Sequence, residues 1–336
     1  MGRSFQDLER LLRTTYRNVS EDMPAVIRLL REFIEDNEDP SVSPNFRSDV
    51  TDNLDAIVKL LKDPETENSD ALILCLLKVM KILSRKQDNR LAMGRIGIHA
   101  ILRHLHAPKN PKIAGEGANV VLNICYEKEN VEAVLSCNGV QPLVSFLSST
   151  DPDLQANAAG AIQSICFQEK GRLSVRDVGA IPSILNLLAL DNVKVQMRAV
   201  GALHNMSSDP DSIRIIRRKD GIPKLIRLLR APQPSICGSA AGALQNVSRE
   251  VASREIIKSL GAVPLLADLL FGCDLQSQVC AAGALLNILG PELGEDIQGN
   301  KQRKAFGSIV SSCLAMAMVY EAIWDEAPQI TASMLA

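Results

Sequence analysis

The chain has 336 residues, a hydrophobic content of 46%, an aromatic content of only 3% and a formal net charge of −2. The hydrophobic content is sufficient for a folded core. The near-neutral charge excludes the global basic field with which many proteins bind nucleic acid or anionic membranes. We therefore expect protein partners, no nucleic acid, and membrane contact only through an anchor or a partner.

The eight cysteines and four histidines do not have the spacing of a metal or disulfide site. No cysteine pair has CxxC spacing, and most cysteines lie within apolar runs, which predicts reduced and buried thiols in a cytoplasmic protein. Zinc would require Cys and His clustered at ligand spacing. Walker, Rossmann, HExxH and GxSxG motifs are also absent. The sequence therefore predicts no metal, no cofactor and no enzymatic activity.

Residues 1–50 are predicted to cap the N-terminal end of the fold. Apolar residues at helical spacing predict one amphipathic helix within residues 5–16 and a second within residues 26–34. Residues 37–50 contain two prolines and several small polar residues, so a loop is predicted there. The first helix either completes the cap or docks on a partner or in the protein's own groove.

Residues 51–290 contain a pattern that repeats every forty-one residues. Its most regular position, called the ladder position below, is occupied by Asn123, Ser164, Asn205, Asn246 and Asn287. A fixed period near forty with helical composition is typical of a stacked helical solenoid. We predict about five to six units, of which the first is degenerate.

Each repeat also contains a glycine. In most repeats a proline follows this glycine two or three residues later. The glycines are Gly97, Gly139, Gly179, Gly221 and Gly261. Such a glycine commonly ends a helix in the left-handed conformation, and proline is favoured in the first turn of the next helix. Each unit is therefore predicted to contain three helices, with the ladder position on the third.

Residues 291–336 begin with a loop rich in glycine and charge, and continue with an uncharged apolar stretch over residues 305–320. This stretch is short for a membrane span. We predict a C-terminal capping helix, because the last repeat of a solenoid must be covered.

The three-helix unit, the glycine–proline step and the third-helix sequence A-x-G-A-L-x-N resemble armadillo repeats over about residues 51–290. The resemblance implies an all-α, right-handed superhelical solenoid with helical caps. It also implies that the third helices line a concave groove, where the repeated Asn binds the backbone of an extended peptide. An amide offers a donor and an acceptor, which suits such a ligand. Alternatively, the ladder residues bond within their own repeat and hold its helices together.

Side chains near the ladder positions extend the predicted groove. The candidates are Arg198, Asp209, Glu250, Tyr126 and Phe167. The charged residues are predicted to select the partner by charge. The two aromatic residues could anchor it, although Phe167 could equally belong to the core.

Importin-type nuclear import adaptors, a well-known branch of the same family, have a tryptophan four residues before the ladder Asn. The equivalent positions are Asn119, Gly160, Gly201, Gly242 and Gly283. Without aromatic walls the binding of nuclear-localisation peptides has no mechanism, so nuclear import is a disfavoured alternative. The glycines instead predict an open and shallow groove.

A single concentrated basic patch occurs in the first helix of a later repeat. It contains Arg214, Arg217, Arg218 and Lys219. This patch is either a second docking site, for an acidic partner or an anionic lipid, or a solvated face.

The sequence thus predicts a non-enzymatic adaptor that holds an extended peptide or a helix in its groove. It resembles compact armadillo-repeats-only adaptors, and more weakly the organelle-tethering armadillo proteins of the yeast vacuole and the apicomplexan rhoptry. That resemblance implies tethering of an organelle to a motor at the cytosolic face of a membrane. Gly2 follows Met1, but position 6 is Gln6, so the acylation motif is incomplete. A structural cytoskeletal solenoid is a further alternative.

Overall fold

The computed structural model of the chain describes residues 19–39, 54–108 and 110–289. The predicted helix within residues 5–16, most of the loop over residues 37–50 and the predicted C-terminal cap over residues 291–336 lie outside these ranges, as does Gly2.

The described residues form eighteen α-helices and one 3-10 helix, and they contain no strand. The first nine α-helices are α1 (Val19–Asn37), α2 (Leu54–Lys62), α3 (Asp70–Leu83), α4 (Gln87–Ile96), α5 (Ile98–His106), α6 (Pro111–Ile124), α7 (Lys128–Ser136), α8 (Val140–Phe146) and α9 (Pro152–Ile165). The remaining nine are α10 (Glu169–Asp177), α11 (Ile181–Leu187), α12 (Val193–Met206), α13 (Pro210–Arg218), α14 (Gly221–Leu228), α15 (Pro234–Val247), α16 (Val251–Ser259), α17 (Ala262–Leu269) and α18 (Leu275–Leu289). The 3-10 helix, Pro64–Asn68, lies between α2 and α3.

The chain divides into two compact units, Met1–Ser183 and Ile184–Ala336. In the first unit the helices pack in three rows, because each helix of a repeat packs against the corresponding helix of the next repeat. Third helices α3, α6 and α9 form one row, which α1 extends by packing on α3. First helices α4, α7 and α10 form the second row, and second helices α2, α5 and α8 form the third. Each row continues through neighbouring repeats, as expected for a solenoid.

In the second unit the third helices α12, α15 and α18 likewise pack in sequence. The first and second helices α13 and α14 contact each other and the third helix α15 of their own repeat. Small residues allow the third helices to approach closely: Ala240, Ala241 and Ala243 of α15 are fully buried. The core of this unit therefore lies along its third helices.

The third helices begin at polar capping residues that the sequence places directly before them. Asn110 accepts a hydrogen bond from the backbone N–H of Ile113, and Asp151 accepts one from that of Leu154. Proline follows both caps at the first helical position, where its missing N–H costs no hydrogen bond. These local signals explain why the third helices begin at regular intervals.

The predicted left-handed glycine occurs in only two of the five repeats. Gly179 and Gly261 have φ values of +80° and +70°. In two other repeats Asn138 and Asp220, each one residue before the glycine, have the positive φ instead. The expectation for Gly97, Gly139 and Gly221 was therefore wrong.

Close packing accounts for these glycines, as Gly139 and Gly221 illustrate. A Cβ on Gly139 would lie 2.8 Å from Cγ1 of Val134, and one on Gly221 would lie 2.8 Å from the backbone oxygen of Ile216. A larger residue at either place would force the next helix away from its neighbour.

No helix within the described ranges is long and apolar enough to cross a membrane. The apolar stretch over residues 305–320 lies outside those ranges.

Candidate functional site: the ladder positions of the third helices

The ladder positions lie in the last turn of successive third helices. Asn123 is in α6 and Ser164 in α9 of the first unit, and Asn205, Asn246 and Asn287 are in α12, α15 and α18 of the second. Three of these side chains, those of Asn123, Asn246 and Asn287, meet the same part of the preceding repeat.

The amide nitrogens of the ladder asparagines bond to the preceding repeat. In the first unit, Nδ2 of Asn123 donates to Oγ of Ser84 at 2.8 Å and to the carbonyl of Lys81 at 3.5 Å. Ser84 in turn donates to the same carbonyl at 2.7 Å. The three groups therefore form a small hydrogen-bonded cluster across the interface between two repeats.

The second unit contains the same cluster twice. Nδ2 of Asn246 donates to Oγ of Ser207 at 3.0 Å, and Nδ2 of Asn287 donates to Oγ of Ser248 at 3.1 Å. Each amide also reaches a carbonyl of the preceding third helix. The partners belong to the neighbouring repeat, whereas the alternative raised by the sequence placed them in the same repeat.

The sequence analysis did not identify the serine of this cluster, although its spacing from the ladder asparagine is regular. Ser84, Ser207 and Ser248 each precede a ladder asparagine by thirty-nine residues. The residue thirty-nine before Ser164 is Cys125, which is fully buried, so the pKa of its thiol is raised. The residue thirty-nine before Asn205 is also a cysteine, Cys166, so the serine recurs at three of the five ladder positions.

The carbonyl oxygens of Asn123, Asn246 and Asn287 accept no hydrogen bond from any residue that the structure describes. The orientation of the amides follows from their partners, since a carbonyl oxygen and a hydroxyl that already donates its hydrogen can only accept. Each of these three amides thus uses its nitrogen for the scaffold and leaves its oxygen as an unused acceptor.

The acidic candidates Asp209 and Glu250 begin the first helices of their repeats and have intramolecular partners. Asp209 accepts hydrogen bonds from the backbone N–H and the hydroxyl of Ser212, which is N-terminal capping. Glu250 forms a two-bond ion pair with Arg217 at 2.7 and 3.0 Å, and its Oε2 also accepts from Ser253. The hydrogen bond from Arg217 is the main reason that the pKa of Glu250 lies below its ordinary value.

The predicted basic patch is therefore partly neutralised. Arg217 pairs with Glu250, and Arg214 pairs with Asp211. Arg218 and Lys219 are exposed at the end of α13 and form no hydrogen bond or ion pair with any described residue. Only these two cations of the patch remain available.

Arg198 is half-buried on α12 and likewise forms no hydrogen bond or ion pair within the described ranges. Asp209 and Glu250, by contrast, both have hydrogen-bonding partners within the protein.

Tyr126 and Phe167 form an exposed aromatic pair just after the third helices α6 and α9. Each side chain is 53% exposed, and their ring centroids lie 6.3 Å apart. The guanidinium of Arg90 lies 6.0 Å from the Tyr126 centroid and is fixed by Glu127, whose Oε1 accepts from Nε of Arg90 at 2.8 Å. Phe167 therefore does not belong to the core, which was the alternative left open by the sequence.

The glycines four residues before the ladder positions do not leave open space in the second unit. A Cβ on Gly242 would lie 2.5 Å from the His204 ring, and one on Gly283 would lie 2.2 Å from the Gln245 amide. Both side chains come from the preceding repeat. The expectation of an open groove at these two positions was wrong, because neighbouring side chains fill the space that the missing tryptophans leave.

Among the described residues, no group of three or more His, Cys, Asp or Glu side chains could hold a metal ion. The ladder region presents amide oxygens, exposed aromatic rings and paired charges, all of which can contact a partner.

Two segments of the chain, residues 127–167 and 209–249, match the family model described as Armadillo/beta-catenin-like repeat. An engineered protein of known structure is 27% identical, with a TM-score of 0.64 over 71% of this chain and 97% of that chain. A second engineered protein is 23% identical, with a TM-score of 0.68 over 85% and 68%. A designed armadillo repeat protein in complex with the peptide (KR)4 is 20% identical, with a TM-score of 0.61 over 70% and 99%. No curated protein matches the chain.

Proposed function

We propose that this chain, which is an armadillo-repeat protein, is a protein-binding scaffold that acts without catalysis and holds a partner segment against its third helices. The observation that carries the proposal is the exposed pair of Tyr126 and Phe167 beside the ladder positions Asn123 and Ser164. A folded protein that exposes two adjacent aromatic side chains at a repeated position offers a surface which a partner can cover.

The aromatic pair has the properties of a binding anchor. Aromatic side chains are enriched at the centres of protein interfaces and account for a large part of their binding energy. The Tyr126 ring is held between Phe167 and the guanidinium of Arg90, so little side-chain freedom is lost when a partner binds. A rigid, exposed aromatic surface therefore favours binding of a partner's apolar or planar side chain.

The ladder supports the proposal through the free oxygens of its amides. The nitrogens of Asn123, Asn246 and Asn287 bond to the scaffold, and their oxygens can accept hydrogen bonds from the backbone N–H groups of a partner. Acceptors on successive third helices, such as Asn246 and Asn287 of the second unit, suit an extended segment of any sequence, so exposed side chains beside the ladder would supply the selectivity.

The partner is an extended peptide or a helix of a protein, and strongly basic segments are disfavoured. One designed armadillo repeat protein of similar fold is known in complex with the peptide (KR)4, which supports a peptide as the partner. In this chain, however, Glu127 and Glu250 are paired with arginines, so few free carboxylates remain for basic side chains.

A more specific role, tethering of an organelle to a motor at the cytosolic face of its membrane, extends the proposal. It is supported only by the resemblance to compact armadillo-repeats-only adaptors. Fluorescence microscopy of the tagged chain tests it: enrichment on one organelle that requires Tyr126 and Phe167 supports tethering, and a uniform cytoplasmic distribution contradicts it.

The binding proposal is tested with peptides selected from a random display library on the immobilised chain, with affinities measured by fluorescence anisotropy. Replacing both Tyr126 and Phe167 by alanine should weaken binding by about tenfold or more, as for interface anchors. Thermal unfolding should be unchanged, because both side chains are exposed. The matched control is Leu260→Ala, which removes an exposed apolar side chain between α16 and α17 and should bind as the native chain does. Equal affinity of the double variant, or failure to select any peptide, would contradict the proposal.

A further inference from the structure

Cys137 differs from the other cysteines in having a histidine at hydrogen-bonding distance. Its Sγ lies 3.4 Å from Nε2 of His99, although the two residues are thirty-eight apart in the sequence. Cys137 ends α7, and His99 lies in the first turn of α5, the second helix of the preceding repeat. The repeat packing therefore creates a thiol–imidazole pair that the sequence spacing does not reveal.

The pair lines a cavity of about 340 Å³ that opens to solvent. The cavity is at the lower end of the size range of small-molecule sites, which begins at about 300 Å³. Lys62 contributes a cation from α2, and Arg103 and His106 come from α5. His106 also lies at 3.1 Å from the backbone carbonyl of Cys137, which fixes the end of α7 against α5.

The other described cysteines lack this environment. Five of them are buried: Cys75, Cys125, Cys166, Cys237 and Cys280. Cys273 is exposed, but forms no hydrogen bond with any residue in the described ranges. A thiol that is accessible, next to a base and next to a cavity occurs among the described residues only at Cys137.

We propose that Cys137 is a reactive thiol that undergoes exchange with small anionic disulfides of the glutathione disulfide type, with His99 as the base. His99 accepts the thiol proton, and the Cys137 thiolate attacks one sulfur of the disulfide. A new sulfur–sulfur bond forms to Cys137 as the old one breaks. The departing glutathione thiolate takes up a proton, so that one protein thiol is oxidised and one glutathione thiol is produced.

The cations around the cavity explain the preference for an anionic disulfide. Lys62 is exposed and forms no ion pair with a described residue. Arg103 shares its charge with Glu67 at 3.3 Å and donates to the carbonyl of Leu61. The free ammonium of Lys62 can therefore face a carboxylate of glutathione while Arg103 holds α5 against α2.

The test incubates the full chain with glutathione disulfide and follows the adduct on each cysteine by peptide mapping and mass spectrometry. Cys137 should react about tenfold faster than the exposed control Cys273, because only Cys137 has a neighbouring imidazole that can accept the thiol proton as the sulfur attacks. His99→Gln should lower the Cys137 rate about tenfold and leave the Cys273 rate unchanged. Cys137→Ser should lose the adduct at that position and retain it at Cys273.

A second arm distinguishes anion recognition from general reactivity. Cystamine is a small disulfide with positive charges, so it should react with Cys137 more slowly than glutathione disulfide does. Lys62→Gln should reduce the rate with glutathione disulfide and leave the rate with cystamine unchanged, because Lys62 is exposed and has no structural partner. The proposal is overturned if Cys137 and Cys273 react at equal rates, or if His99→Gln leaves the Cys137 rate unchanged. A preference for cystamine would overturn the anionic specificity.

Discussion

The ladder of the first unit and that of the second differ in what surrounds them, although their bonds to the scaffold are the same. Asn123 in the first unit and Asn246 in the second each donate to a serine hydroxyl and a carbonyl of the preceding repeat. In the first unit the exposed pair of Tyr126 and Phe167 lies beside the ladder. In the second unit the positions equivalent to this pair are occupied by Ser208 and Arg249.

This comparison distinguishes two kinds of position within a repeat: those that bond to the neighbouring repeat and those that face solvent. Positions that bond one repeat to the next, such as Asn123 and Asn246, have a structural role, since an amide that loses its partner weakens the interface between repeats. Positions that face solvent after the third helix vary without effect on packing, so they can carry the choice of partner. Substitutions at the first kind should therefore change stability, and substitutions at the second kind should change binding.

The largest expected effect is at Gly242 of the second unit. Gly242→Ala places a methyl group 2.5 Å from the His204 ring, and should destabilise the protein by about 2–3 kcal/mol through overpacking. Chemical denaturation monitored by circular dichroism measures the change. Replacing His204 by alanine in the same chain should recover part of the loss, because the two residues share one space.

Gly115→Ala is the matched control in the first unit. Its Cβ would meet only Nδ2 of Asn157, at 3.9 Å, and alanine is favoured over glycine within a helix by up to about 1 kcal/mol. Unchanged or slightly increased stability is expected. If Gly115→Ala loses as much stability as Gly242→Ala, the cost does not come from the side chains packed against the glycine.

The next largest effect is the loss of a ladder amide. Asn246→Ala removes two hydrogen bonds between repeats from a buried side chain and should cost about 1–2 kcal/mol of unfolding free energy. Asn123→Ala should cost a similar amount, because it removes the equivalent bonds of the first unit. Urea denaturation of both variants measures the losses. If Asn123→Ala weakens peptide binding and leaves stability intact, the shared structural role is refuted.

Much of the fold was predictable from the sequence, because it depends on local signals that repeat. The forty-one-residue period, the apolar third helices and the capping residues such as Asn110 and Asp151 all indicate stacked helices, and the structure confirms the all-α fold. The helix ends were less predictable. The left-handed residue moves between Asn138 and Gly179 in successive repeats, because either residue type can adopt a positive φ.

The candidate site was predictable in position but not in its contacts. The spacing identifies Asn246 and Glu250, but it cannot show that their partners are Ser207 and Arg217, since those contacts depend on how one repeat packs on the next. The pair of Cys137 and His99 was missed for the same reason. Contacts between repeats join residues that are far apart in the sequence. The forty-one-residue period shows where a residue type recurs, but it does not show which side chains that residue contacts.

A smaller effect is expected from the ion pair of Arg217 and Glu250 in the second unit. Glu250→Gln should cost about 0.5–1 kcal/mol at neutral pH, which is typical of a partly exposed pair. Because the folded pKa of Glu250 is lowered, its contribution is complete above the ordinary carboxyl pKa and is lost as pH falls through the folded value. Between about pH 5 and pH 3, where carboxyl groups titrate, thermal unfolding of the native chain should lose more stability than that of the variant. Parallel pH curves would exclude this role for the pair.

The smallest expected effect concerns His204, whose ring covers Gly242. Burial lowers the pKa of His204, so the folded protein keeps the imidazole neutral while the unfolded chain takes up a proton. Stability should therefore fall as pH decreases through the ordinary histidine value of about 6.5. His204→Gln should remove this dependence and retain the packing, because Gln245 covers Gly283 in the same way in the next repeat. Thermal unfolding midpoints of both proteins at pH values above and below that of free histidine measure the difference. An unchanged pH dependence in the variant would show that another group of the second unit is responsible.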